Sequence, residues 1–330
     1  MYKKIIFRCD AGEISGLGTG HLQRSITLFK ILKKKFSLKK KDILFIVKNF
    51  NKYKIAGKIL QSNKINFYTI KNETKDYSNI EIKIINQFKS NLLIIDRLGD
   101  IKKNSIIELK KNHKKIFLID DSSKHRGLVD LSINPLKIFV KKTKNSFIGH
   151  KFNILPSFNK KIKDFKKRSR NLIFISFGGF DKKNLTLKVF NHLVKRKLPI
   201  RLLIHEKYKY LKKISTNLIF YKSEEYYDNL SRSTIVISAG GMSMFDAIYF
   251  KKKTICIPQY KHQLMNINIL NKEKAIYKLD INNLDKLSDL ILNLINKKDT
   301  NTNIKKKQNN IINNNYMKKT LNLIFKLYVK

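Results

Sequence analysis

Cysteine is almost missing from this 330-residue chain: Cys9 and Cys256 are the only two. A disulfide-stapled scaffold and a zinc site built on Cys-x-x-Cys pairs are therefore excluded, and both thiols, each inside a strand-like run, read as small core hydrophobes. Long apolar runs are lacking too. Lysine interrupts each of them well short of the eighteen or more residues that a membrane span requires, and the chain opens on the strand-like IIFRCD instead of a secretory leader. The expectation is a cytoplasmic protein with no membrane span. Acidic residues are scarce, 24 against 71 basic ones, which leaves a formal charge of +47. Such a charge points towards nucleic acid, because a basic surface gains affinity for phosphate by counterion release. The scarcity of arginine, nine of those 71 residues, points the other way. Lysine is spread over every helical segment together with asparagine and isoleucine, which looks like codon bias on a solvated surface, whereas readers of nucleic acid concentrate arginine and aromatic rings on one face. No specific nucleic-acid partner is expected.

What the chain does have is alternation. Short runs of Ile, Leu, Val and Phe alternate with longer helical patterns, the mark of parallel sheets wrapped by helices, and 42% hydrophobic residues suffice for two cores. Strands are predicted at 5–10, 43–48, 65–70, 92–96, 115–121 and 130–134, and again at 171–178, 200–205, 217–222, 234–238, 254–258 and 275–279. The expected fold class is α/β, with two Rossmann-like domains of mostly parallel sheet facing a cleft. Residues 1–158 form the first domain, a charged stretch at 159–170 is the linker, and 171–297 form the second domain. An Asn/Lys-rich tail with a terminal helix follows at 298–330.

Open parallel sheets bind ligands beyond the carboxyl ends of their strands, so residues there are the leading candidates. In the first half they are Asp10, Gly18, Gly20, His21 and Arg24. A glycine turn presents His21 at a helix start, where it serves either as a general base or as a cap on its own helix. The turn is not the dinucleotide fingerprint G-x-G-x-x-G, because Gln23 stands at the third glycine position. Asp96-Arg97 and Asp120-Asp121 close two further strands and suit either acid–base or metal chemistry or the capping of the next helix. In the second half, Ser238–Asp246 repeats the strand–glycine–helix pattern. Gly240, Gly241, Met242 and Ser243 would offer free N–H groups to an anion, and Asp246 would either bind a diol or stabilise the helix dipole. Ser243 lacks the closing glycine of a nucleophile elbow. Gly178, Gly179, Asp181 and Asn184 end the first strand of this half, where the glycines line a site or serve only the turn.

Taken together, FRCDAGEISGLGTGHLQR, LLIIDRLGD, the IDD of 119–121, SFGGFDKKNLT and SAGGMSMFDAI resemble, in order and spacing over nearly residues 1–280, the UDP-2,4-diacetamido-2,4,6-trideoxy-β-L-altropyranose hydrolases of the pseudaminic acid pathway and related spore-coat polysaccharide proteins. The resemblance implies a GT-B-like fold with a UDP-sugar substrate. It makes His21 the catalytic histidine of a G-x-G-H motif, with Asp10 beside it as a second catalytic candidate. Gly18, Gly20, Arg24, Arg97 and Asp121 would meet the sugar. Gly178, Gly179, Asp181, Asn184, Gly240, Gly241, Met242, Ser243, Asp246 and Gln263 would hold the nucleotide. Three positions depart from the family pattern: Asp246 replaces a glutamate, His262 an asparagine, and Arg97 the histidine of DHYG. The implied reaction is attack of water on the anomeric carbon with loss of UDP. No Asp-x-Asp motif is present, so no metal or other cofactor is expected. A GT-B glycosyltransferase and a catalytically inactive nucleotide-sugar binding protein are the alternatives.

Overall fold

The computed structural model describes residues 4–14, 17–71, 73–136, 138–156, 171–296 and 300–329. The linker expected at 159–170 lies outside them. The chain divides into two compact units, residues 1–156 with 314–330, and residues 157–313.

In the first unit the strands are β1 (Ile5–Cys9), β2 (Ile43–Lys48), β3 (Phe67–Ile70), β4 (Ser90–Gly99), β5 (His113–Asp121), β6 (Leu131–Asn134) and β7 (Ser146–Ile148). They form one parallel sheet in the order β3-β2-β1-β4-β5-β6-β7. The order reverses between β1 and β4, and that reversal opens a crevice at the carboxyl ends of these two strands. Helices α1 (Gly20–Lys35), α2 (Lys54–Ser62), α3 (Asn79–Asn86) and α4 (Lys103–Lys110) make the crossovers. Apolar residues of the strands and of α3 and α4, among them Ile6, Leu93, Ile95, Ile82, Ile85 and Leu109, pack as one core.

The second unit repeats the plan. Strands β8 (Leu172–Ser176), β9 (Arg201–His205), β10 (Leu218–Tyr221), β11 (Ile235–Ser238), β12 (Lys253–Cys256) and β13 (Tyr277–Lys278) form a parallel sheet in the order β10-β9-β8-β11-β12-β13. Its helices are α5 (Leu185–Lys195), α6 (Tyr226–Arg232), α7 (Met242–Tyr249), α8 (Lys261–Lys272), α9 (Leu287–Asn296) and α10 (Thr300–Ile311). Alternate residues of one strand feed opposite faces, as the two-residue period of a strand demands. Ile173 and Ile175 join a core with α5 and α9, while Leu172 and Phe174 join another with Leu230 of α6 and Ala247 of α7.

The expected α/β architecture of two Rossmann-like units with parallel sheets is therefore present. Three details add to that expectation. The strand β7 at the sheet edge has no counterpart among the predicted strands, because SFI is too short to show a period. The Asn/Lys-rich tract is helical at α10, which belongs to the second unit. The last helix, α11 (Asn314–Val329), belongs to the first, where it buries Met317, Leu321 and Ile324 and sets Phe325 and Tyr328 against Phe36. Among the described residues no helix is long and apolar enough to cross a membrane.

Candidate functional site

In the first unit the loop between β1 and α1 is closed by Gly12, whose N–H donates to the Gly18 carbonyl at 3.0 Å, and Gly18 adopts a positive φ of 55° that a side chain would resist. Gly20 then starts α1, so His21 stands on the first turn and Arg24 one turn further, both buried. Side chains three apart on a helix share a face, and both meet Asp96, which β4 brings alongside β1 at the sheet reversal.

Asp96 is wholly buried and accepts from four donors. His21 Nδ1 lies 2.8 Å from Oδ1, Arg24 Nε donates to Oδ2 at 2.9 Å, Arg24 Nη2 donates to Oδ1, and the Ser25 hydroxyl donates to Oδ2 at 3.2 Å. His21 Nδ1 lies between the Asp96 carboxylate at 2.8 Å and Arg24 Nη2 at 3.1 Å. The carboxylate is the nearer and has no proton to give, so the proton is placed on His21 Nδ1, which leaves Nε2 as the basic nitrogen. Burial works to raise the Asp96 pKa, but the Arg24 charge and the hydrogen bonds from Arg24 and His21 outweigh it and hold the carboxyl down at about 2. Arg24 Nη2 also donates to Asp120 at 2.8 Å, and the other Asp120 oxygen accepts the Leu136 N–H at 2.8 Å. Asp120 sits at a φ of 60°, a left-handed conformation that aspartate tolerates better than most residues. The result is a chain Asp120–Arg24–Asp96–His21 in which the Arg24 guanidinium bridges two carboxylates and Asp96 receives the imidazole N–H.

Asp10 and Arg97 join a second cluster. Asp10 receives Arg8 on both oxygens at 2.7 Å and the Lys48 N–H at 2.8 Å, so Asp96, and not Asp10, partners His21. Burial opposes ionisation of Asp10, yet the Arg8 charge and hydrogen bond keep its pKa below the usual range. Arg97 forks onto Glu81 with two 2.8 Å hydrogen bonds, and its guanidinium stacks 4.0 Å from the Tyr77 ring centre. Glu81, buried on α3, also accepts from Arg8. Asp121 accepts from Tyr77, Ile101 N and Ser123 N, tying together the loops that follow β4 and β5. All three side chains are thus engaged by their own unit. The sequence marks the pairs 96–97 and 120–121 and favours Arg97 and Asp121 as site residues; the structure instead sets Asp96 and Asp120 beside His21 and Arg24.

In the second unit the reversal falls between β8 and β11, and both loops there carry glycine. Gly178 and Gly179 are exposed after β8, with Gly178 at a φ of 85°. Asp181 receives the Leu185 and Thr186 N–H groups at 2.9 and 2.8 Å and thereby caps α5, while Asn184 precedes that helix in a left-handed conformation. After β11, Gly240 has no room for a side chain, since a Cβ there would lie 2.8 Å from the Gln263 carbonyl oxygen. Gly241 precedes α7, whose start has no side-chain cap and no acidic residue in its first turn. The first N–H groups of a helix have no intrahelical acceptor, so Met242 and Ser243 begin an anion-attracting end. The two loops adjoin, because the Cβ position of Gly178 is 4.0 Å from Ser243 Oγ. Gln263 of α8 reaches the same turn, and Asp246 lies buried one turn inside α7, its charge felt by Tyr226, Tyr227 and Tyr249.

Two Rossmann-like units, each with a glycine turn at its sheet reversal, define a GT-B-type fold, the fold of known glycosyltransferases. Residues 172–321 match the glycosyltransferase family 28 C-terminal domain. The chain resembles MurG of Acinetobacter baumannii with a TM-score of 0.66 at 11% identity, covering 97% of this chain and 99% of that one. The glycosyltransferase VinC, solved in complex with dTDP, gives 0.65 at 10% identity over 98% and 99%. The spinosyn rhamnosyltransferase SpnG, solved with thymidine diphosphate, gives 0.62 at 12% over 97% and 100%. In sequence the chain is 29% identical over 297 residues to an uncharacterized protein of Methanocaldococcus jannaschii, a match spanning 81% of this chain and 58% of that protein.

Proposed function

We propose that this protein hydrolyses a UDP-sugar, releasing UDP and a free amino or deoxy sugar for a nonulosonic acid of the pseudaminic type or for a surface polysaccharide. The observation that carries the reading is the pairing of His21 Nδ1 with Asp96. A histidine that only caps its helix needs no buried carboxylate behind it. One that takes a proton needs its tautomer fixed and its developing positive charge compensated, and Asp96, itself held ionised by Arg24, does both. In the proposed step, His21 Nε2 accepts a proton from water as the water oxygen bonds to the anomeric carbon. The bond from that carbon to the diphosphate oxygen breaks with inversion, and UDP departs with the electron pair. The N-terminal turn of α7, with Gly240, Gly241, Met242 and Ser243, would stabilise the charge gathering on the diphosphate. Asp246 would take the ribose diol, and Gly178, Gly179 and Gln263 would complete the nucleotide contacts.

A second reading, transfer of the sugar to an acceptor hydroxyl, is favoured by the match of residues 172–321 to the family 28 transferase domain. The same His21–Asp96 pair would then deprotonate the acceptor. The test is release of nucleoside diphosphate from a panel of UDP- and dTDP-sugars, with and without candidate acceptors. Release in buffer alone supports hydrolysis, release only with an acceptor supports transfer, and binding without release leaves a nucleotide-sugar binding protein.

A further inference from the structure

We propose that Gln259 is a positioning residue that sets the geometry of the anion-binding turn in the second unit; the inference rests on the reading of that turn as the diphosphate site. Gln259 follows β12, is buried, and makes two directed hydrogen bonds to opposite sides of the turn. Its backbone N–H donates to Gln263 Oε1 at 3.0 Å. A backbone N–H requires an acceptor, so this contact fixes which way the Gln263 amide faces. The Nε2 group is thereby turned towards Gly241, whose Cβ position would lie 3.7 Å away. On the other side, Gln259 Nε2 donates to the Phe177 carbonyl at 2.8 Å. Phe177 leads directly into Gly178, whose Cβ position is 4.0 Å from Ser243 Oγ. One residue therefore anchors both the loop after β8 and the amide that α8 extends, and the start of α7 lies between them.

A purely architectural role fits Gln259 poorly. Its own Oε1 is buried with no partner among the described residues, which is destabilising, so the side chain gives the fold only the one hydrogen bond to the Phe177 carbonyl. The amide serves its neighbours at some cost in stability, a trade commonly seen where a site must be preorganised.

The test is calorimetric titration of UDP, dTDP and uridine into the full chain, with melting temperature measured in parallel. Gln259→Leu is expected to bind UDP about tenfold more weakly, the value of one good hydrogen bond, while uridine binding is unchanged; its melting temperature reports the balance between losing the unpaired Oε1 and depriving the Phe177 carbonyl of its donor. Gln259→Glu is expected to match the leucine variant at neutral pH and to regain UDP affinity on acidification, because a protonated carboxyl can again donate to the Phe177 carbonyl. The leucine variant has no such recovery, and this contrast holds even if its melting temperature falls. Wild-type UDP affinity in Gln259→Leu, or a parallel loss of uridine and UDP, overturns the positioning role. A wild-type protein that binds neither UDP nor dTDP removes the reading beneath it, and the inference falls with that reading.

Discussion

Replacing Asp96 by asparagine changes one oxygen to an NH₂ group and removes one charge, at a carboxylate whose two oxygens are both occupied. Arg24 donates to both, to Oδ2 through Nε and to Oδ1 through Nη2. An asparagine can present only one acceptor oxygen, so its NH₂ must confront one guanidinium N–H in either orientation. With NH₂ on the Oδ1 side it also faces His21 Nδ1, which becomes an acceptor; the imidazole proton moves to Nε2, and the base becomes a donor. With NH₂ on the Oδ2 side the tautomer survives, but the charge that stabilises the imidazolium is gone. Either way the general-base contribution of about 10²–10⁴-fold in rate is lost. Asp96→Asn should therefore lower kcat by that factor with little change in affinity for UDP, measured by coupled UDP release against calorimetric binding. The double variant with His21→Asn should be no slower than His21→Asn alone, because the two residues act as a unit. Near wild-type turnover in Asp96→Asn, or losses that multiply in the double variant, would refute the pairing as the source of catalysis.

His21→Asn alone should lower turnover by about 10²–10⁴-fold and leave UDP affinity intact, since the proposed nucleotide contacts belong to the second unit; equal losses in both would contradict that division. Gly240→Ala should cost about 1–3 kcal/mol in chemical denaturation, because its Cβ would press on the Gln263 backbone carbonyl at 2.8 Å, which cannot swing aside as a side chain could. Acid should destabilise the fold in a defined window. The Asp96 carboxyl is depressed from 3.8 to about 2, so its share of stability, about 2 kcal/mol, is fully present above pH 4 and is lost as the pH falls towards 2. Glu81, where burial is overcome by the Arg8 and Arg97 charges, and Asp10 act in the same direction. Denaturation midpoints that stay flat from pH 5 to 2.5 would show that these carboxylates gain nothing on folding.

Periodicity makes the two sheets legible, because strands buried on both faces must be continuous apolar runs and every crossover must supply a helical pattern. Ile43–Lys48 is bounded in the structure as in the sequence, while β4 extends to Ser90–Gly99 because pairing with β5 continues past the apolar run. Glycine places both candidate turns: a Cβ at Gly240 would collide with the Gln263 carbonyl, while Gly18 and Gly178 take positive φ values that side chains disfavour. What periodicity cannot decide is which member of a polar pair faces inward. Asp96-Arg97 and Asp120-Asp121 each hold two polar residues at the carboxyl end of a strand, and their partners, Arg24 on α1 and Glu81 on α3, come from other elements of the chain. Gln259 gives no signal, since it acts through a carbonyl and an amide that have no side-chain signature.

Arginine carries a signal that periodicity does not. In a chain where 71 basic residues include only nine arginines, codon bias replaces arginine with lysine wherever a point charge suffices. Three of the nine occupy buried sites where a flexible ammonium fails and a planar fork with several donors is needed, while Arg196 and Arg201 are exposed. Arg8, Arg24 and Arg97 fit this account: each is buried, and each donates to at least two carboxylates. The scarce acidic residues follow the same logic, for Asp10, Glu81, Asp96 and Asp120 are buried carboxylates that these arginines meet, in a protein rich in lysine. Arginine count alone does not locate these frameworks. What separates Arg8, Arg24 and Arg97 from exposed Arg196 and Arg201 is their place on or beside the buried strands of the first unit, and Arg24, three residues after a histidine on α1, meets the carboxylate that orients His21.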